Sequence, residues 1–228
     1  MNDHVRDLAL VREATDRLLT AAAKLDDAAV AAPSRLPGWT RGHVLAHLAR
    51  NADALVNVFA GRPMYVSAEA RDGDIARDAP RPLATQLADV RDSAARFQEA
   101  ATADSDWSRT VELRNGVTDS ASRIPFRRLV EVELHHVDLG IGYELEDLSE
   151  EFTGREIDFL VDRFAGNATL PLVLITATDG RQWSTGSRDG DPVSVIGSAP
   201  DLLGWLAGRR QGAGLECDGT LLPVLPAL

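Results

Sequence analysis

The stretch Thr40-Arg41-Gly42-His43-Val44-Leu45-Ala46-His47-Leu48-Ala49-Arg50-Asn51-Ala52 decides how the N-terminal part of this chain folds. Thr40 is a typical N-cap residue, and the sequence after it predicts a helix to about Ala60, where a glycine and a proline follow. At about 100° per residue, the valines and leucines of this helix fall on one broad face. His47 lies at the border of that face and His43 lies further round, so periodicity places His47 nearer the core.

Further long helical patterns lie on both sides of this helix. They cover about Asp3 to Lys24, Pro82 to Ala103 and Pro125 to Tyr143. A short helix can follow Ser67, and the turn-rich stretch from Asp104 to Thr118 suggests a hairpin around Asn115-Gly116. Four long helices of this kind predict a helical bundle.

The pattern changes near residue 148. A helix is expected from Glu150 to Asn167, followed by short strand-like runs, one more helix and a final strand-like run. These cover residues 170–177, 182–185, 192–196, 198–208 and 215–225 in that order. The expected fold class is mainly α with α+β. We expect a four-helix bundle over residues 1–148 and a small α+β domain over residues 149–228.

Composition narrows the function classes. The 228 residues carry a formal net charge of −11 and a single cysteine, Cys217. An acidic protein repels nucleic acid and anionic membranes on average. The basic pairs Arg127-Arg128 and Arg209-Arg210 are each flanked by acids or apolar residues, so neither forms a nucleic-acid stripe. No run reaches the length of a membrane span, and residues 1–12 lack a secretory signal core. We therefore expect a cytoplasmic protein that binds neither nucleic acid nor membrane.

Paired histidines and glutamates carry the strongest chemical signal. The candidate pairs are His43 with His47, Glu131 with His135, and Glu133 with His136. Residues three or four apart share a helix face, so any of these pairs can hold one ion. A single pair of this kind more often lies on a solvent-exposed helix face. Two helices that both bring a histidine near the core, however, favour the presence of a metal site. Two histidines and one glutamate form a zinc ligand set with an open position. Periodicity does not decide which of the two pairs on the fourth helix, Glu131 with His135 or Glu133 with His136, is the better candidate for binding the metal.

Other candidates give weaker signals. Cys217 lacks a nearby histidine and reads as a bystander. Arg209 and Arg210 lie at the end of a helix, where they can interact with the helix dipole or clamp a carboxylate. The sequence favours neither interpretation. The glycine-rich stretch 208–214 has no preceding strand and reads as a helix end rather than a phosphate loop.

Several stretches of the sequence resemble those of one known family. They are Leu36 to Ala52, Met64-Tyr65-Val66-Ser67 with Glu69-Ala70-Arg71, Glu131 to Gly140, and Leu206-Ala207-Gly208-Arg209. Together they resemble the mycothiol-dependent maleylpyruvate isomerases, which belong to the larger DinB-like group of metalloproteins. The resemblance covers nearly the whole chain in the same order. The Met-Tyr-Val-Ser loop points to the isomerases themselves, whereas the histidine motif alone marks only the broad group.

The resemblance implies specific roles. Its metal ligands fall on His47, Glu131 and His135, its functional arginine falls on Arg209, and His136 becomes a neighbour rather than a ligand. It implies a DinB-like four-helix bundle that holds one divalent metal, Zn2+, and uses mycothiol as a thiol cofactor. The implied reaction is the cis–trans isomerisation of maleylpyruvate to fumarylpyruvate in aromatic acid catabolism. Its implied partners are a small thiol and a small dicarboxylate substrate.

Alternatives stay open on the sequence. Asn51 or Asp138 could orient a metal ligand, or could simply cap or solvate a helix. A mycothiol S-transferase would use the same metal site with a different loop around residues 64–71. A non-catalytic metal-binding stress or regulatory protein, or a bundle without metal, would fit the helical pattern as well. The sequence favours no particular oligomeric state.

Overall fold

The computed structural model describes residues 3–103, 106–218 and 221–226. The chain divides into two compact units, Met1–Tyr143 and Glu144–Leu228. This division lies slightly before the boundary expected between residues 148 and 149. Of the predicted segments, the first two residues of the stretch from Asp104 and residues 219–220 of the last strand-like run lie outside the described residues.

The N-terminal unit is a helical bundle with one hairpin. Its elements are α1 His4–Ala22, α2 Asp27–Ala31, α3 Arg41–Phe59, α4 Ala68–Asp78, α5 Leu83–Ala103, β1 Thr110–Glu112, β2 Thr118–Ser120 and α6 Ile124–Asp138. Helix α1 packs on α5 and α6, and α3 packs on the same two helices. The predicted four-helix bundle is therefore confirmed, formed by α1, α3, α5 and α6. None of the described helices is long and apolar enough to cross a lipid bilayer.

Two elements differ from the prediction. The fourth long helix was expected to reach Tyr143, but α6 ends at Asp138. Gly140 has a φ of 62°, in the left-handed region that glycine tolerates, and this conformation ends the helix. Helix α2 was not predicted, because its five residues are too few to show a helical period. The side chain of Asp26 caps it by accepting from the backbone N–H of Ala29 at 2.7 Å.

The C-terminal unit combines helices with a mixed sheet. Its elements are α7 Glu150–Phe164, β3 Val173–Ala177, β4 Gln182–Thr185, β5 Val193–Gly197, α8 Ala199–Leu206 and β6 Glu216–Cys217. The sheet order is β4-β3-β5-β6, in which β3 and β5 are parallel and the outer pairs are antiparallel. The strand expected from residue 170 begins later, because Pro171 has no backbone N–H for a sheet. The α+β prediction for this part is confirmed.

A close backbone approach fixes the beginning of α3. A Cβ added to Gly42 would lie 2.1 Å from the carbonyl oxygen of Ala79, just after α4. That carbonyl accepts a hydrogen bond from Nε2 of the fully buried Gln86 at 3.0 Å, and the same nitrogen donates to the carbonyl of Asp78 at 2.9 Å. The start of α3, the end of α4 and the beginning of α5 are therefore held together at one point.

We expect Gly42→Ala to lower the free energy of unfolding by about 1–3 kcal/mol, the usual range for overpacking. The new methyl group would meet backbone, which cannot move aside as a flexible side chain can. Gly73→Ala is the matched control, because Gly73 lies inside α4 with nothing within 4 Å of its added Cβ. There alanine should raise stability by up to about 1 kcal/mol. Urea denaturation of both variants measures the difference, and equal stabilities would contradict the close-approach argument.

Candidate metal centre

Three possible ligand side chains meet between α3 and α6. Nε2 of His47 lies 2.9 Å from Oε2 of Glu131, and Nε2 of His135 lies 3.3 Å from the same oxygen. The rings of His47 and His135 have centroids 4.7 Å apart and stand nearly perpendicular, at 82°. One donor atom from each of the three residues lies within 4.8 Å of the other two. Three donors thus converge on one point, although α3 and α6 are distant in sequence.

Helix α3 explains why His47 and not His43 reaches this point. Thr40 caps α3 by accepting from the backbone N–H of His43 at 3.3 Å, and Nδ1 of His43 in turn accepts from the backbone N–H of Thr40 at 3.2 Å. His43 is therefore part of the N-terminal cap. One turn later His47 is only 5% exposed and faces α6. The periodicity argument that placed His47 nearer the core agrees with this geometry.

The second acidic pair of α6 faces a different helix. Oε1 of Glu133 accepts from Nη2 of Arg17 in α1 at 2.6 Å, and its Oε2 accepts from the hydroxyl of Tyr143 at 2.9 Å. The ring of His136 stacks on that of Tyr143 with centroids 4.1 Å apart. The structure thus brings Glu131 and His135 to His47, whereas Glu133 contacts α1 and His136 packs on Tyr143. Metal binding by the first group stays a prediction.

A buried carboxylate orients His135. Oδ2 of Asp138, whose side chain is fully buried, lies 2.8 Å from Nδ1 of His135. A carboxylate on one ring nitrogen favours a proton there and leaves a lone pair on Nε2, the nitrogen that faces Glu131. Asn51, the other residue considered for this role, instead accepts from Nη1 of Arg128 at 2.8 Å. Of these two residues, Asp138 is the one that contacts a candidate ligand.

Arg71 is a neighbour of the site to which the sequence assigned no role. Its Nη2 donates to Nδ1 of His47 at 3.3 Å, and its guanidinium lies 5.8 Å from the centroid of the Tyr65 ring. Nη1 of Arg71 also binds Asp72 at 2.7 Å. Arg71 belongs to the family-like stretch 64–71 and lies in the first half of α4, a short helix whose sequence pattern could not place this side chain against α3. The indole of Trp39 completes this side of His47 with ring centroids 5.6 Å apart.

The charges of the three candidate ligands follow from burial and mutual contacts. Burial lowers the pKa of His47 to about 4, which leaves its imidazole neutral at physiological pH. Burial alone would raise the pKa of Glu131, but hydrogen bonds with His135 and His47 hold it well below its ordinary value. For His135 burial lowers the pKa, and the hydrogen bonds with Asp138 and Glu131 outweigh it, so that the pKa is raised. Glu131 is therefore ionised, and the two histidines differ in pKa, which is lowered for His47 and raised for His135.

This donor set fits a divalent transition metal. Two imidazoles and one carboxylate are ligands that zinc accepts, and three protein ligands leave a further position for an exogenous group. The Glu131 side chain is 33% exposed, so the site has a side that solvent can reach. Among the described residues, these three are the only group of histidine, cysteine and acidic side chains with this convergence.

Arg209 and Cys217 belong to the C-terminal unit. Arg209 follows α8 and is half-buried; its Nη1 donates to the carbonyl of Ala207 at 2.7 Å. The neighbouring Arg210 is bound by the carboxylates of Glu146 and Asp201, each at 2.7 Å. Arg210 is thus held by acids, whereas the carboxylate-binding role expected of Arg209 stays a prediction. Cys217 lies in β6 opposite Val195 of β5.

Comparisons with known proteins identify the family. Residues 11–140 match the family model described as the mycothiol maleylpyruvate isomerase N-terminal domain. A crystal structure of the mycothiol-dependent maleylpyruvate isomerase is similar over 99% of this chain and 97% of that chain, with 28% identity and a TM-score of 0.87. A histidine-to-alanine mutant of a mycothiol-dependent maleylpyruvate isomerase matches with 27% identity, the same TM-score and the same coverage. No curated protein sequence matches. This chain therefore belongs to the mycothiol-dependent maleylpyruvate isomerase family.

Proposed function

We propose that this protein isomerises maleylpyruvate to fumarylpyruvate with mycothiol as thiol cofactor and one zinc ion held by His47, Glu131 and His135. The observation that carries the proposal is the convergence of these three donors in a chain whose family and solved structural relatives are mycothiol-dependent isomerases. A bound zinc ion would supply the means to deprotonate a thiol, whose ordinary pKa of about 8.5 keeps it protonated at neutral pH.

The chain's own residues prepare the site for such chemistry. His47 offers a neutral ring because it is buried, and Asp138 holds the ring of His135 with Nε2 toward Glu131. The Trp39 ring packs edge-on against His47 and helps to exclude water from it. These contacts fix the ligand side chains before anything binds, which lowers the cost of ordering them.

The isomerisation itself needs only a thiolate and a carbon–carbon double bond conjugated with a carbonyl group. The sulfur forms a bond to one alkene carbon as the π pair moves onto the carbonyl oxygen, giving an enolate. The remaining single bond rotates. The electron pair then returns, the carbon–sulfur bond breaks, and the thiolate leaves with the alkene in the trans form. Arg209 would bind a substrate carboxylate and stabilise the enolate charge.

Loss of one ligand should abolish metal binding. We expect His47→Ala to weaken zinc affinity by more than about hundredfold, since changes even outside the ligand shell cost 10–100-fold. His43→Ala is the matched control, because His43 lies one turn earlier on α3 and serves the cap. Elemental analysis of protein purified without chelators or a polyhistidine tag gives the metal content. Metal retained by His47→Ala at the wild-type ratio would rule out the ligand set, and a wild type without metal would favour a bundle that binds none.

Zinc affinity should fall as the pH is lowered from about 8 to 6, by up to about tenfold per pH unit for each proton that the metal displaces. The pKa of His135 is raised, so in the metal-free protein its ring keeps a proton to a higher pH than usual. His47, with its pKa near 4, is already deprotonated and adds nothing in this range. Competition against a chelator of known affinity measures the slope.

Asp138→Asn is the control for this pH dependence. It removes the negative charge of Asp138, which helps to raise the pKa of His135, so the decline in affinity should move to lower pH. An affinity that does not change between pH 8 and 6 in the wild type would show that no ligand proton is displaced there.

The reaction can be tested directly by following maleylpyruvate spectrophotometrically with and without mycothiol. We expect turnover only with the thiol, and a fall in kcat/KM of about 10–100-fold in Arg209→Gln, the effect of losing a hydrogen bond to a charged group. Arg210→Gln is the control, because Arg210 is bound by Glu146 and Asp201. No isomerisation, together with conjugation of mycothiol to an electrophile, would identify a mycothiol S-transferase instead. Failure to bind any thiol would favour a non-catalytic metal-binding protein.

A further inference from the structure

A buried arginine next to the candidate metal centre has hydrogen-bond donors that lack a partner among the described residues. Arg128 is completely buried. Its Nη1 donates to the carbonyl of Leu48 at 2.9 Å and to Oδ1 of Asn51 at 2.8 Å. Its Nε and Nη2 are also buried, and neither has a hydrogen-bond partner among the described residues. A buried cation with unused donors is unfavourable, so a fold that keeps one has a use for it.

The position of Arg128 connects it to the metal centre. Arg128, Glu131 and His135 are spaced i, i+3 and i+7 on α6, and therefore share one face of that helix. On α3, Asn51 lies one turn after His47. The contact between Arg128 and Asn51 is thus one helical turn from the contact between Glu131 and His47.

The charges around Arg128 favour an additional anion. Tyr65 and Glu131 are close enough to interact electrostatically with Arg128, and the guanidinium of Arg71 lies 5.8 Å from the centroid of the Tyr65 ring. Asp53 is the other acid that acts on Arg128, but it is bound by Arg96 at 2.6 Å. Glu131 is shared by two histidines. Any divalent cation at the candidate centre would add further positive charge.

Two side chains beside the candidate metal centre are partly open to solvent, whereas Arg128 itself is fully buried behind them. The Glu131 side chain is one-third exposed, and that of Arg71 is 14% exposed. A planar guanidinium with free donors matches a carboxylate in both charge and shape. Burial lowers the pKa of Arg128 only to about 10, so the group is cationic at neutral pH.

We propose that Arg128 and Arg71, together with Tyr65, form a carboxylate-binding subsite beside the candidate metal centre. The subsite takes one carboxylate of a small dicarboxylate, and the identity of that dicarboxylate as substrate rests on the proposed function. The N-terminal unit then holds a substrate carboxylate with its own residues, independently of the role proposed for Arg209.

The test measures binding of maleate, a simple cis dicarboxylate, to the protein as purified with its metal. Isothermal titration calorimetry is carried out at constant ionic strength on the wild type, Arg128→Met and the control Arg127→Met. Arg127 lies next to Arg128 on α6 and pairs with Asp119 at 2.7 Å. We expect Arg128→Met to weaken maleate binding by about tenfold or more, and Arg127→Met to change it by less than about twofold.

Melting temperatures separate a binding role from a structural one. Methionine fills a similar volume without charge, so Arg128→Met should melt at or above the wild-type temperature when no maleate is present. A folded Arg128→Met that binds maleate like the wild type overturns the proposal. So does binding of the neutral dimethyl ester as tightly as maleate, or a wild type that binds no maleate at all.

If Arg128→Met does not fold, maleate binding by Arg71→Met tests the proposed subsite instead. Arg71 lies at the solvent side of the group, and a tenfold loss of maleate affinity in this variant supports the subsite, whereas unchanged affinity overturns it. The isomerase assay is read separately. Maleate binding that depends on Arg128 in a protein without isomerase activity would leave the subsite standing and refute the proposed function. Wild-type isomerase activity, together with unchanged maleate binding in Arg128→Met, would support the proposed function and refute the subsite.

Discussion

The contact between His47 and Glu131 is the polar interaction around which the N-terminal unit is arranged. It places a neutral imidazole and an ionised carboxylate between α3 and α6, in an interior that is otherwise mostly apolar. Such groups are tolerated inside only when they are paired, so the two helices must keep one rotational setting relative to each other. The cap at Thr40 and the close approach at Gly42 set the start of α3. The histidine four residues after Glu131 then joins the same contact.

The two flanks of α6 show how the side chains that contact a glutamate determine whether it can take part in metal binding. Glu131 and Glu133 are the same residue type two positions apart, yet they face different helices. Glu133 meets the guanidinium of Arg17 and the hydroxyl of Tyr143, which satisfy its oxygens. Glu131 meets two imidazoles, whose ring nitrogens can bind a metal when they are deprotonated. A convergence of possible metal ligands therefore arises at the Glu131 flank, although both flanks carry a glutamate and a histidine.

Helical periodicity was sufficient to predict the bundle, the α+β character of the C-terminal part and the inward position of His47. It could not choose between the two flanks of α6, because that choice depends on which neighbouring helix each flank faces. Resemblance to a family made the choice, and the geometry agrees with it. The sequence shows Arg128 only as half of the basic pair Arg127-Arg128, and arginine is rarely buried. Its burial depends on the packing of α3 against α6, which no local pattern reports.

Stability and ligand binding are in tension along this interface. A buried arginine with unused donors and a partly buried glutamate shared by two histidines contribute less to folding than well-packed apolar side chains of the same volume would. Ligands that bind only the folded state return stability by mass action, about 2.7 kcal/mol at a concentration one hundred times Kd. A cation at the three donors and a carboxylate at Arg128 would each act in this way. Under the two binding proposals, the full stability of the interface between α3 and α6 includes the contribution of its ligands.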